Sequence, residues 1–150
     1  MDARYATMGN LQFQLSSCLR SKKMPTKRIL IVDDEESIQT VVQFGIQMVA
    51  DWDVLIASSG PQGIKTACDE SPDAILLDVM MPDMDGIATF KALQSDPQTS
   101  QIPVIFLTAK AQTSERRQFN DLGVSGVITK PFNSLDLPDQ IVKMLDWEKL

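Results

Sequence analysis

Residues 74–86, AILLDVMMPDMDG, decide how this chain is to be folded. An apolar run, Ala74-Ile75-Leu76-Leu77, ends on a carboxylate, Asp78. It passes at once into two methionines, a proline and a turn built from Asp83, Asp85 and Gly86. A run with no polar alternation suits a strand covered on both faces, as in a parallel sheet. Taken alone, an Asp at the end of such a strand is ordinary, because strands end where the chain meets water. The rest of the sequence decides whether Asp78 stands alone.

Four more short runs resemble the first: residues 28–32, 53–57, 103–107 and 126–129. Between them lie helical spacings. Ile38, Val41, Val42, Gly45 and Val49 follow the first strand, with Glu35 and Glu36 where a helix N-terminus favours negative charge. Residues 61–70 form a second helix, closed by Ser71-Pro72. Ile87, Phe90 and Leu93 mark a third, residues 116–122 a fourth stopped at Gly123, and Leu135, Ile141, Val142 and Leu145 a fifth. Five strands alternating with five helices predict an α/β fold, a doubly wound parallel sheet with helices on both faces. Ligands in such sheets bind beyond the carboxyl ends of the strands.

Those ends carry a consistent set. Asp33 and Asp34 follow the first strand, Asp78 the third, Thr108 the fourth and Lys130 the fifth, while the second offers only Ser58 and Ser59. Right-handed crossovers make the first and third strands neighbours, so Asp33, Asp34 and Asp78 share one pocket. At about 5 Å and an effective dielectric of about 20, each carboxylate pair repels by roughly 3 kcal/mol. A proton or a cation must compensate. Hard oxygen ligands with room for water favour Mg²⁺. Lys130 on the far side and the Thr108 hydroxyl add donors for phosphate oxygens, a combination suited to phosphoryl transfer onto a carboxylate nucleophile. Singly, Asp33 and Asp34 could be helix caps, Thr108 a turn residue and Lys130 a solvated strand end. Together, at successive strand ends, they define a site.

Composition narrows the chemistry. The 150 residues suffice for one domain with a core, filled mainly by Val, Ile, Leu and Met because aromatics are 6%. The chain has no histidine, which excludes His-ligated zinc and histidine general-base chemistry, and it cannot itself carry a phosphohistidine. A net charge of −6 argues against a nucleic-acid-binding surface. Cys18 and Cys68 match no metal or disulfide framework and read as free thiols in a reducing compartment. With no membrane span or signal peptide, a cytoplasmic location is expected. Residues 1–26 are polar and basic toward their end. They read as a mobile extension with a short helix around residues 9–18, and Met24 is an alternative start.

Four blocks carry a family resemblance: Ile31-Val32-Asp33-Asp34-Glu35, Leu77-Asp78-Val79-Met80-Met81-Pro82-Asp83-Met84-Asp85-Gly86, Leu107-Thr108-Ala109 and Thr129-Lys130-Pro131-Phe132. In order and position they resemble the signature blocks of bacterial two-component response-regulator receiver domains, of the stand-alone chemotaxis type. The resemblance spans about residues 27–146, with 147–150 left as a tail. It implies the flavodoxin-like receiver fold, strand order 2-1-3-4-5. It also implies that Asp78 accepts a phosphoryl group from a sensor histidine kinase or histidine phosphotransfer protein. By the same resemblance Asp34 and Asp78 bind Mg²⁺, with the backbone carbonyl of Met80 and with Asp33 as a water-mediated or partial ligand. Thr108 and Lys130 would contact the phosphoryl oxygens, and the Lys130-Pro131 bond would be cis.

The resulting expectation is a phosphoacceptor switch in a two-component system or phosphorelay rather than a separate enzyme. It would have no effector or DNA-binding domain of its own, no membrane contact and an unknown downstream protein target. Gly86 would lend the turn after Met80 its conformational freedom, and Met80, Met81 and Met84 would pack in the loop. Many receivers carry Tyr or Phe where this chain has Val127, so the ring half of the usual switch is missing.

Two other functions stay open on the sequence alone: a degenerate receiver used only for docking, and a Mg²⁺-dependent phosphatase of the haloacid dehalogenase type. The latter needs a second Asp two residues after the nucleophile, where this chain has Met80. A dinucleotide-binding fold is disfavoured because no G-x-G-x-x-G follows the first strand.

Overall fold

The computed structural model describes residues 26–82, 84–109 and 112–147. The expected extension and its helix around residues 9–18, together with Cys18, Asp83 and the end of the tail, lie outside the described residues.

Five strands form one parallel sheet: β1 (Arg28–Val32), β2 (Asp53–Ala57), β3 (Ala74–Asp78), β4 (Val104–Thr108) and β5 (Gly126–Thr129). Their order is β2-β1-β3-β4-β5, as expected for the flavodoxin-like receiver fold. Helices α1 (Glu36–Val49), α2 (Gly60–Glu70), α3 (Gly86–Ser95), α4 (Thr113–Leu122) and α5 (Leu137–Leu145) alternate with the strands, and a 3-10 turn (Ser134–Asp136) leads into α5. The central strands β3 and β4 are buried at every position, and β2 at the edge is largely not. That is why the runs at 74 and 104 show no polar alternation.

Alternate residues divide the core into two layers. Ile29, Ile31, Leu76, Ile105 and Ile128 meet Val42 and Ile46 of α1 and Leu137, Ile141 and Val142 of α5. Leu30, Val32, Ile75, Leu77, Phe106 and Val127 meet Ala67 of α2, Phe90 and Leu93 of α3 and Phe119 of α4. Each such aliphatic or aromatic side chain, once buried, contributes about 1.5–3 kcal/mol. Phe106 is edge-on to both Phe90 and Phe119, at centroid distances of 5.7 and 5.1 Å. Val127 lies in this cluster, at 6% exposure.

Local signals set the ends of the elements. Asp85 caps α3 by accepting from the Ala88 N–H at 2.8 Å, worth about 1 kcal/mol. Gly123, at φ 100°, ends α4 in the left-handed region that favours glycine. The Lys130–Pro131 bond is cis.

Three expectations need correction. On α1, Val41 and Val49 are exposed, and the buried face is Gln39, Val42, Gly45 and Ile46. Gly45 turns that face, because a Cβ there would strike the Ser134 backbone. Leu135 sits in the 3-10 turn at 47% exposure rather than in α5. Met80 is 60% exposed and packs little, whereas Met81 is buried.

Candidate functional site

The carboxyl edge of the sheet gathers residues from four loops. Asp78 and Thr108 are the last residues of β3 and β4, so the rigid buried strands themselves hold them. Asp33 follows β1, and its N–H donates to the Ala57 carbonyl at 3.1 Å, which extends the β1–β2 ladder by one bond. Lys130 follows β5, with its N–H donating to the Thr108 carbonyl at 2.8 Å.

Asp33, Asp34 and Asp78 each offer a carboxylate oxygen, and these oxygens lie within 4.8 Å of one another. Asp33 and Asp78 are buried and Asp34 is exposed, so the cluster opens to solvent on the Asp34 side. Lys130 meets the carboxylates directly. Its Nζ donates to Asp33 Oδ2 at 3.0 Å and to Asp78 Oδ1 at 3.3 Å, and it lies 3.7 Å from Glu35 Oε1. The ammonium therefore supplies part of the compensation that three close carboxylates need.

Other donors fix the carboxylates. The Glu35 N–H donates to Asp33 Oδ1 at 2.9 Å and the Met80 N–H to Asp78 Oδ1 at 3.3 Å. Met80 thus bonds the Asp78 carboxylate through its backbone N–H. Thr108, buried, shares the edge: Asp78 pairs in register with Leu107, and Thr108 with Thr129.

Sequence patterns do not single out Gln39, whose amide bonds the Asp33 carbonyl. Nothing in its type marks it out, since a polar residue early in a helix is usually solvated. The freedom expected of Gly86 is not what the structure uses. Gly86 begins α3 without a left-handed backbone, and a Cβ there would meet the Asp78 carbonyl oxygen at 2.5 Å and Val79 Cα at 2.7 Å. Glycine is required here by close approach.

Burial, and then the Asp33 charge, push the Asp78 pKa above its ordinary value, opposed by Lys130 and the Met80 N–H. For Lys130, burial works against the charge, but its bond to Asp33 and the charges of Asp33 and Asp78 prevail, and its pKa is raised. With the folded-state pKa raised, the unfolded chain ionises first, so Asp78 destabilises the fold increasingly from the ordinary carboxyl pKa upward and fully above its folded-state pKa. The destabilisation is relieved as pH falls from the folded-state pKa to the ordinary one. Asp78→Asn should accordingly raise the metal-free melting temperature at pH 7, with a smaller gain near pH 4. An unchanged or lowered value at pH 7 in thermal unfolding would contradict this electrostatic picture.

An open doubly wound sheet with carboxylates and a lysine converging at its carboxyl edge defines the receiver class of α/β proteins. Residues 29–142 match the family model described as "Response regulator receiver domain", and the chain belongs to that family. It is 39% identical over 119 residues to the alkaline phosphatase synthesis transcriptional regulatory protein PhoP of Bacillus subtilis, covering 79% of this chain and 48% of that one. The chain spans about half the length of the first curated relatives it matches. Among solved structures it resembles the chemotaxis protein CheY4 of Vibrio cholerae, with 28% identity, a TM-score of 0.74 and coverage of 80% of this chain and 99% of that one. It also resembles the receiver domain of a sensor histidine kinase from Pseudomonas aeruginosa, solved with a magnesium ion in the active-site cleft. There the identity is 25%, the TM-score 0.72 and the coverage 81% and 99%. No helix among the described residues is long and apolar enough to cross a membrane.

Proposed function

We propose that this receiver takes a phosphoryl group onto Asp78 from a phosphohistidine of a sensor kinase or histidine phosphotransfer protein, and that the modification changes its binding to a downstream protein. The observation that carries this is the cluster of Asp33, Asp34 and Asp78 around a lysine at the carboxyl edge. Three hard oxygen donors, one of them open to solvent, fit Mg²⁺. Asp34 and Asp78, with the Met80 backbone carbonyl and a supporting Asp33, would hold it. When bound, the ion would neutralise charge building on the phosphoryl oxygens.

The chain's own groups do the rest. Asp78, ending a rigid strand, attacks phosphorus with a carboxylate oxygen. The O–P bond forms as the donor's N–P bond breaks, and the electron pair stays on the imidazole. Lys130 leaves its carboxylate partners to meet the phosphoryl oxygens, and the Thr108 hydroxyl donates to another. New bonds made only in the phosphorylated state give the population shift its free energy. This chemistry makes the chain a switch that catalyses its own modification.

Incubation with acetyl phosphate tests the reading. We expect mass-shifted protein with Mg²⁺ and none with EDTA, because Lys130 alone offsets only part of the negative charge of the carboxylates and the incoming phosphoryl group. Equal labelling in both would exclude a metal-dependent site.

We also propose that the receiver proper runs over residues 27–146. Every described strand and helix falls within that span, and Trp147, one residue past it, packs edge-on against Trp52 at the rim of one core layer. A chain beginning at Met24 should therefore melt within about 2 °C of the 150-residue chain, a shift of less than about 1 kcal/mol, and should label equally. A cooperative transition lost on truncation would extend the domain into residues 1–23.

A further inference from the structure

We propose that Gln39 is a positioning residue for the acidic pocket, acting through the peptide that joins Asp33 to Asp34. The inference rests on the metal-binding reading above and deepens it. Gln39 closes the first turn of α1, six residues from Asp33, and is 7% exposed. Its Nε2 donates to the Asp33 backbone carbonyl at 2.7 Å and to Ser58 Oγ at 3.1 Å. A carbonyl can only accept, so this contact fixes which end of the amide faces the pocket.

The bond matters because of what it holds. A peptide unit is planar, so fixing the Asp33 oxygen fixes the orientation of the Asp34 N–H and the direction in which the Asp34 Cα leaves. Among the described residues, Gln39 is the one donor to that carbonyl. Asp33 has its own anchors, because its carboxylate is held by the Glu35 N–H and by Lys130. Asp34 is exposed, and its carboxylate makes no hydrogen bond among the described residues. Its aim is therefore set by its backbone. The second N–H of Gln39 ties the same peptide to the β2–α2 loop, where the Ser58 N–H in turn donates to Gln62 Oε1 at 2.6 Å. Gln39 thereby locks the Asp34-bearing loop to two helices and a neighbouring strand end. Removing groups that orient metal ligands typically weakens metal affinity about 10- to 100-fold.

The test is calorimetric titration of the 150-residue chain with Mg²⁺, alongside metal-free thermal unfolding. Gln39→Met keeps length and helix propensity but has no donor, and Gln39→Ala, which cannot clash, serves if the first folds poorly. We expect the Mg²⁺ dissociation constant to rise about 10-fold or more in either variant, with labelling by acetyl phosphate restored at saturating Mg²⁺. Asp34→Asn measures the ligand's own share. If that substitution weakens binding but the Gln39 variants bind as the unsubstituted chain does, Gln39 is merely structural and the inference falls alone. A lowered melting temperature with unchanged affinity would overturn it in the same way. If the unsubstituted chain takes up no Mg²⁺, the metal-binding reading falls first and takes this inference with it.

Discussion

Asp78→Asn is expected to reduce phosphoryl uptake from acetyl phosphate by more than about 100-fold, or about 2.7 kcal/mol of barrier. The substitution keeps the shape of the side chain and its place at the end of β3. It replaces an anionic oxygen with a neutral amide, which is a far weaker nucleophile. Of its two neighbours in the cluster, Asp33 is poorly placed to take over. Asp33 is fully buried, with its oxygens engaged by the Glu35 N–H and Lys130. Asp34 is open to solvent and is the competitor within the cluster. Phosphate mapped to Asp34 in unsubstituted protein, or full labelling of the Asn variant under Mg²⁺, would refute the assignment. The same substitution should raise metal-free stability, because it removes a buried like charge beside Asp33. Uptake lost while stability rises cannot be blamed on unfolding, so the two measurements together isolate the chemistry.

The sheet was legible because its physics is local. Uninterrupted β-branched and aliphatic runs mark strands covered on both faces, as β1, β3 and β4 are, and the observed limits of β1, β2 and β5 coincide with the runs read from the sequence. The pocket was legible for a related reason: topology alone sends every strand end to one edge, so Asp33, Asp34, Asp78, Thr108 and Lys130 could be gathered without side-chain detail. What escaped depends on tertiary approach. The α1 helix carries more apolar residues than one face can bury, and spacing cannot tell Val42 and Ile46 from Val41 and Val49. Close passage of the Ser134 backbone over Gly45 makes that choice. Lys130 reaches Asp33 across 97 residues of sequence, so its contact with the carboxylates emerges only from the fold. Gln39 is the plainest case, since an amide becomes informative only once the carbonyl it faces is known.

Gly86→Ala sets two of these levels against each other, and their magnitudes decide the outcome. Helix propensity favours alanine over glycine by up to about 1 kcal/mol in a helix, less in its first turn. On that ground the substitution should stabilise α3. The packing predicts the reverse. The added Cβ would lie 2.5 Å from the Asp78 carbonyl oxygen and 2.7 Å from Val79 Cα, both backbone atoms that cannot rotate away. Relief requires moving the start of α3 or the end of β3, and forced overpacking of this kind costs about 1–3 kcal/mol. With rigid backbone on both sides the upper end applies, leaving a net loss of about 2 kcal/mol and a melting temperature lower by about 4–8 °C. Function should suffer as well. The Gly86 N–H donates to the Val79 carbonyl at 3.0 Å, so a displaced α3 disturbs the segment after Asp78, including the Met80 N–H that bonds its carboxylate. Labelling by acetyl phosphate should slow about 10-fold at saturating Mg²⁺, because a small misplacement of a reacting group is costly. A variant that melts higher than the unsubstituted chain would show that propensity outweighs the contact and that β3 and α3 can separate freely. A variant that melts lower yet labels at full rate would show that the strain is absorbed away from Asp78, on the α3 side of the junction.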